Sequence, residues 1–137
     1  MKANASLREG PVVSARLQHV SSPFPPGGHV DVRRFYGAAV GLEEIAVPRT
    51  LDAGRFIWFT AGSSGLEHHF FVGTTDPAHR RHLCLEGDDL AAIRRRLAEA
   101  GYDPYEAGPI PNRPRFFCRD PFGNLVEFTT LLGAYDA

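Results

Sequence analysis

Apolar and polar residues follow two patterns in the first half of the chain. Short alternating runs predict strands, and apolar residues at helical spacing predict one helix that ends at Gly41. Three prolines and two glycines within residues 21–28 predict a loop before this helix. The predicted elements are a strand at 12–20, the loop, the helix at 29–42, and strands at 44–47, 55–60 and 66–72. The buried stripe of the helix is predicted to be Val32, Phe35, Tyr36 and Ala39.

The second half repeats this order after a polar linker at 73–81. A strand precedes a helix whose predicted N-cap is Asp88 and which ends at Gly101. A short strand and a hairpin around the turn DPFGN complete this half. The predicted elements are a strand at 82–86, a helix from about 89 to 100, and strands at 105–107, 115–120 and 125–132. The apolar stripe of this second helix is predicted to be Leu90, Ile93, Leu97 and Ala98.

Strand–helix–strand–strand–strand therefore occurs twice, which indicates an internal repeat. The segment LQHV corresponds to RHLCL, and LEHHF corresponds to VEF. The repeat predicts an α+β fold in which two βαβββ modules, related by a pseudo-twofold axis, form a half-open sheet around a central cleft. We expect a flexible N-terminal tail at 1–11 and a single domain at 12–134, with module one at about 12–73 and module two at about 80–132.

Charge and hydropathy narrow the possible partners. The 15 basic and 16 acidic residues give a net charge of -1, so no basic surface for nucleic acid is expected. No apolar run approaches the roughly 20 residues that span a bilayer, and the first residues lack the apolar core of a signal peptide. We therefore expect a cytoplasmic protein without a membrane partner. Cys84 and Cys118 lie in apolar strands and are predicted to be buried free thiols.

Histidines and glutamates occupy matching positions in the two halves. His19 and His82 lie in the first strand of each module, and Glu67 and Glu127 lie in the last. A single histidine in a strand is more typical of a hydrogen-bonded core residue, but matching positions favour a shared site. We predict that His19, His82 and Glu127 bind a divalent Fe, Zn, Mn, Ni or Co ion. Glu127 supports this because a carboxylate between large apolar residues is costly unless it is paired or metal-bound.

The fourth strand leaves one alternative open. In LEHHFF, alternation places Glu67 and His69 on one face, whereas a one-residue slip in the preceding loop would turn His68 toward the cleft. Arg115 is a candidate contact for an anionic substrate, with a surface salt bridge as the alternative. Aromatic residues could line an apolar groove or pack in the core, and this set comprises Trp58, Phe59, Phe70, Phe116 and Phe122.

Five segments of the chain resemble the vicinal oxygen chelate superfamily, which includes glyoxalase I, extradiol dioxygenases, fosfomycin-resistance proteins and bleomycin-binding proteins. The segments are LQHV, RRFYGAAVGLEEI, RFIWFTAG, HLCLEGDDLAAIRRRLAEAGY and RFFCRDPFGNLVEF. The resemblance implies paired βαβββ modules, a homodimer, and a metal held by His19, His82 and Glu127, with Glu67 matching a fourth ligand. The segment SSPFPPGG departs from the family pattern. In relatives with such a loop the site-facing residue of the fourth strand is often histidine, which keeps His68 as an alternative.

These features predict a metal-dependent enzyme that acts on a small molecule chelated through two neighbouring oxygens. The metal would stabilise a developing oxyanion in lyase or isomerase chemistry, or iron would activate dioxygen. Glu67 is the candidate general base, with a pKa raised by a dry pocket. Trp58, His68 and Arg115 are the candidate substrate contacts. The alternative is a non-enzymatic protein that binds a drug or metabolite, as in bleomycin resistance. Whether one chain or a dimer completes the cleft stays open.

Overall fold

The computed structural model describes residues 15–135, so the predicted tail at 1–11 lies outside the described residues. Within this range the chain forms eight strands, two α-helices and two short 3₁₀ helices, and the first α-helix continues as a π-helix. No described helix is long and apolar enough to cross a membrane. The elements are β1 (His19–Phe24), α1 (His29–Val32, continued by Arg33–Val40), β2 (Glu43–Ile45), β3 (Phe56–Thr60), β4 (Glu67–Val72), β5 (His82–Glu86), α2 (Leu90–Glu99), β6 (Tyr105–Glu106), β7 (Arg115–Arg119) and β8 (Leu125–Thr129).

Each half of the chain forms its own four-stranded sheet. The strand orders are β1-β4-β3-β2 and β5-β8-β7-β6, so the two sheets have the same topology. In both, the first strand pairs in parallel with the last, and the remaining pairs are antiparallel. The predicted α+β fold of two βαβββ modules is therefore confirmed, and both sheets are open rather than closed into barrels.

The prediction of a loop at 21–28 is wrong in its first half. Residues 21–24 belong to β1, and only residues 25–28 turn toward α1. Pro23 is tolerated because β1 is an edge strand that pairs only with β4, so the missing N–H need not break a ladder. The predicted start of the strand is also wrong where it can be checked, since residues 15–18 form no regular structure.

The helices contribute their predicted apolar stripes to one core shared by both modules. All four stripe residues of α1 are buried, and Gly41 ends the helix with a φ of 92°. In α2, Leu97 is fully buried, whereas Ala98 is exposed, contrary to the prediction. The N-cap is Asp89 rather than Asp88, because the Asp89 side chain accepts a hydrogen bond from the Ala92 N–H.

Hydrogen bonds join the two modules on the core side. Tyr36 of α1 donates its hydroxyl to Asp120 at 2.8 Å, and the Asn124 amide donates to the Pro23 carbonyl at 2.9 Å. Arg96 of α2 donates to the Ala39 carbonyl at 2.9 Å. These contacts fix the modules against each other and therefore the relative position of their outer faces.

We expect Gly123→Ala to destabilise the protein by about 2 kcal/mol more than Gly27→Ala. Both glycines have a positive φ, +91° for Gly123 and +81° for Gly27. A Cβ at Gly123 would lie 2.5 Å from Cα of Pro77, whereas a Cβ at Gly27 would meet no atom within 4 Å. Urea unfolding of the two variants separates the steric cost from the conformational cost. Equal losses would contradict the close approach of Pro77.

Candidate functional site

Each sheet presents one face to the core and one away from it, which we call the open face. On the first sheet, the registers His19–Glu67 and Trp58–His69 place these four side chains together on the open face. On the second sheet, Glu127 lies opposite both Cys84 and Phe117, and all three share the open face. By the same alternation, His82 and Arg115 also lie on the open face of this sheet. The sequence-predicted residues therefore fall into two groups, one on each sheet.

His82 and Glu127 form the central contact of the second sheet. His82 Nε2 lies 2.9 Å from Glu127 Oε1, and His82 Nδ1 lies 3.0 Å from the Arg80 carbonyl oxygen. A carbonyl can only accept, so this contact assigns a proton to Nδ1. Nε2 then faces the Glu127 carboxylate. Such an anchored imidazole is typical of metal-binding histidines.

Arg115 pairs with the same carboxylate. Its Nη1 donates to Glu127 Oε2 at 3.0 Å, while Nε and Nη2 donate to the Gly108 carbonyl at 3.0 and 2.8 Å. The Arg115 side chain is only 16% exposed. The structure thus shows an intramolecular ion pair at this position, the alternative considered for Arg115. A metal ion bound by Glu127 would compete with this guanidinium for the carboxylate.

A row of stacked rings dominates the open face of the first sheet. His69 stacks on Trp58 with centroids 3.6 Å apart and on His19 with centroids 4.1 Å apart. His69 Nε2 also lies 2.8 Å from Glu67 Oε1, and His19 Nδ1 lies 2.7 Å from Gln18 Oε1. The Trp58 Nε1 is buried and has no hydrogen-bond partner among the described residues. Two imidazoles, a carboxylate and an indole thus share one surface.

His69 is the site residue that the sequence reasoning missed. His19 and His82 each begin the first strand of their module, and they lie opposite Glu67 and Leu125 respectively. Glu127 lies two residues beyond Leu125, so its counterpart in the first module is His69, two residues beyond Glu67. The sequence correspondence of Glu67 with Glu127 is therefore wrong by two residues. The alternation in LEHHF, which groups Glu67 with His69, is the signal that could have found it.

The environment of Glu67 differs from that expected of a general base. The hydrogen bond from His69 is the main reason that the pKa of Glu67 lies below its ordinary value of 4.5. Partial desolvation opposes this shift without reversing it. The expectation of a raised pKa is therefore wrong, and Glu67 is a carboxylate that stays ionised near neutral pH.

His68 lies on the opposite face of β4 from Glu67 and His69. Its ring is 1% exposed among core aromatics, and its Nε2 lies 2.8 Å from Ser22 Oγ. Burial lowers the pKa of His68 to about 3, so the ring is neutral. Glu67 and His69 thus lie on the open face of β4, and His68 lies on its core face. A contact between His68 and a ligand would have to be made from the core side.

Most of the predicted groove aromatics belong to the core. Phe59, Phe70 and Phe116 are at most 2% exposed, so their core interpretation is confirmed, and Trp58 alone of these four lies on the open face. Cys118 is buried as predicted, but Cys84 is exposed at the surface of the second sheet. Desolvation, reinforced by Glu127, nevertheless raises the pKa of the Cys84 thiol to about 12, which disfavours a thiolate nucleophile.

The donor types on the two open faces fit a divalent transition metal. Imidazole and carboxylate ligands suit Fe, Zn, Mn, Ni and Co. His82 Nε2 and Glu127 Oε1 lie 2.9 Å apart, which is a hydrogen-bond distance, so the two donor atoms are close enough to be offered to the same ion. Within residues 15–135, however, no three His, Cys, Asp or Glu side chains are grouped closely enough to hold a metal. Metal binding would therefore require the histidines of the first sheet to approach the His82–Glu127 pair.

Solved structures share this fold over nearly the whole chain. A protein described as belonging to the glyoxalase family of Bacillus anthracis is 29% identical, with a TM-score of 0.79 over 89% of this chain and 99% of that chain. The antibiotic-binding protein TnmS3 from Streptomyces sp. CB03234 is 19% identical, with a TM-score of 0.68 over 88% of this chain and 98% of that chain. The fosfomycin resistance protein FosX from Mesorhizobium loti is 15% identical, with a TM-score of 0.65 over 90% and 96%.

The family to which the chain belongs is shown by a match to its amino-acid sequence. The model of the Glyoxalase/Bleomycin resistance protein/Dioxygenase superfamily matches residues 18–128. The chain therefore belongs to this superfamily, as its motifs predicted. None of the curated proteins matches the chain. The more distant structural neighbours establish the fold alone, because a shared fold hosts unrelated functions.

Proposed function

We propose that the protein is a metal-dependent enzyme that acts on a small molecule through His19, His82 and Glu127, with His69 as an additional metal ligand. The observation that carries this proposal is the anchoring of His82. The Arg80 carbonyl accepts a hydrogen bond from Nδ1, so Nε2 faces Glu127, and the two groups form a pair of possible metal ligands. His19 and His69 provide two further imidazoles on the open face of the other module.

The remaining side chains support defined roles toward a substrate. When bound, a divalent metal would supply Lewis-acid polarisation of neighbouring substrate oxygens. Trp58, stacked on His69, places an aromatic ring beside the candidate ligands, and Arg115 places a cation beside Glu127. Glu67 is ionised and can accept a proton, but its lowered pKa makes it a weak base, so the substrate proton would have to be acidic already. A lyase or isomerase reaction fits these roles, and with iron a dioxygenase reaction does. A homodimer remains a proposal from the family resemblance, and a cytoplasmic location remains one from the sequence.

The test is the metal content of untagged protein, measured by elemental mass spectrometry. We expect near-stoichiometric Fe, Zn, Mn, Ni or Co in the wild type and almost complete loss in His82→Ala, because that change removes the anchored donor. His29→Ala is the matched control, since His29 bonds to the Gly54 carbonyl outside both groups. It should retain the metal.

Absence of metal from all three proteins, even after incubation with each ion, would refute the enzyme proposal. The second candidate function would then be non-enzymatic binding of a small molecule. One observation favours that alternative: Trp58, His69 and His19 form a continuous stack on the open face, and a planar ligand can extend this stack at the exposed ring of His19. In that case His82→Ala should leave ligand affinity unchanged.

A further inference from the structure

We propose that a cavity at the seam between the two modules binds a small, mainly apolar molecule carrying a hydroxyl group, and that His68 recognises this hydroxyl from the core side. The cavity has a volume of about 200 Å³. Its lining includes Leu66, Glu67 and His68 of the first module and His82, Leu83 and Leu85 of the second. Both modules contribute to it, so it forms only when they are assembled.

Strand alternation gives this seam cavity an outer and an inner end. Glu67, His82 and Cys84 belong to the open face of their sheets. His68, Leu83 and Leu85 belong to the core face of the same strands. The cavity therefore passes from the open face, where the candidate site lies, toward the core.

The chemistry of the lining changes along this path. The carboxylate of Glu67 and the imidazole of His82 are confined to the outer end, while aliphatic side chains make up most of the rest. A ligand inside the seam cavity must therefore be mainly apolar, because burying an unpaired polar group among aliphatic side chains is costly. This excludes sugars, nucleotides and other highly polar metabolites from the inner part.

His68 is the exception at the inner end. Its Nε2 is engaged by Ser22, but its Nδ1 is buried and has no hydrogen-bond partner among residues 15–135. A neutral imidazole has one donor and one acceptor nitrogen, and a buried nitrogen without a partner is unfavourable. A hydroxyl can donate or accept, so a hydroxyl that reaches Nδ1 would satisfy it in either tautomer of His68. A methyl group of the same size cannot.

This inference deepens the proposed function by naming a substrate class, and it rests on that function only for the placement of the ligand's outer end beside His82. The experiment is therefore run on the full chain in EDTA, where metal binding plays no part. Failure of ligand binding and failure of metal binding are then measured separately.

The probes are phenol and toluene, which differ by a hydroxyl in place of a methyl group. Titrations are followed by methyl NMR of the leucines. We expect both probes to shift the Leu66, Leu83 and Leu85 methyl signals, with phenol binding about three- to tenfold more tightly than toluene. Three results with the wild-type protein would each overturn the proposal. They are equal affinities for the two probes, no binding of either probe, and shifts confined to other leucines.

Two variants assign the preference to His68. In His68→Phe the preference for phenol should disappear while toluene still binds. In Ser22→Ala, which removes the partner of Nε2 and leaves Nδ1 in place, the preference should persist. If Ser22→Ala lost the preference for phenol and His68→Phe kept it, the assignment would be reversed. That result would refute a role for His68 Nδ1.

Discussion

Replacing Asp120 with alanine is expected to lower the free energy of unfolding by about 2–4 kcal/mol. Asp120 is 5% exposed and accepts four hydrogen bonds. The donors are the Tyr36 hydroxyl at 2.8 Å, the Asn124 side chain at 2.8 Å, and the N–H groups of Phe122 and Asn124 at 2.9 Å. Alanine would leave the fully buried Tyr36 hydroxyl without its acceptor, and the turn between β7 and β8 would lose its anchor to α1.

The expected loss is smaller than four separate hydrogen bonds would suggest. Burial raises the pKa of Asp120 despite these bonds, so desolvation of the carboxylate offsets part of their value. Urea unfolding at pH 7 measures the net effect. Asp76→Ala is the matched control, because Asp76 also accepts a turn hydrogen bond, from Ala78 at 3.0 Å, but is exposed. A loss no larger than that of Asp76→Ala would contradict the anchoring role of Asp120.

The repeat, both helices and most strands could be predicted from local pattern. Strand β5 has the predicted bounds, His82–Glu86, because its alternation is uninterrupted and a polar linker precedes it. Strand β1 could not be predicted as well, because prolines ordinarily interrupt strands. Whether Pro23 is tolerated depends on β1 lying at a sheet edge, and that is a property of the assembled sheet.

The candidate site shows a different limit of sequence reasoning. Correspondence between the halves identified His19, His82 and Glu127, but it matched Glu67 to Glu127 and so passed over His69. Relative register is set by pairing between strands, and a shift of two residues preserves the face of every side chain. The hydrophobic pattern therefore cannot detect such a shift. Nor does symmetry specify the distance between the two groups, which depends on how the core packs the modules together.

The stability of the protein is expected to fall by about 2 kcal/mol between pH 7 and pH 5 because of His68 alone. An unfolded histidine has a pKa near 6.5, whereas burial lowers the pKa of folded His68 to about 3. Between these values the unfolded chain binds a proton that the folded protein cannot. The contribution of neutral His68 to the free energy of unfolding is therefore fully present above pH 6.5, and it is lost progressively as the pH falls toward 3. The part of the stability that depends on His68 and is lost between pH 6.5 and pH 3 is about 4 kcal/mol.

His68→Phe isolates this contribution, because phenylalanine fills the site without a titratable nitrogen. The free energy of unfolding, measured in urea at several values between pH 7 and pH 4, should decline less steeply in His68→Phe than in the wild type. Ile57→Val, which alters the same core without removing a titratable group, should keep the wild-type slope. Wild-type and His68→Phe curves of equal slope would mean that folded His68 takes up its proton near the ordinary pKa. That outcome would require its ring to be reached by water rather than enclosed by the core.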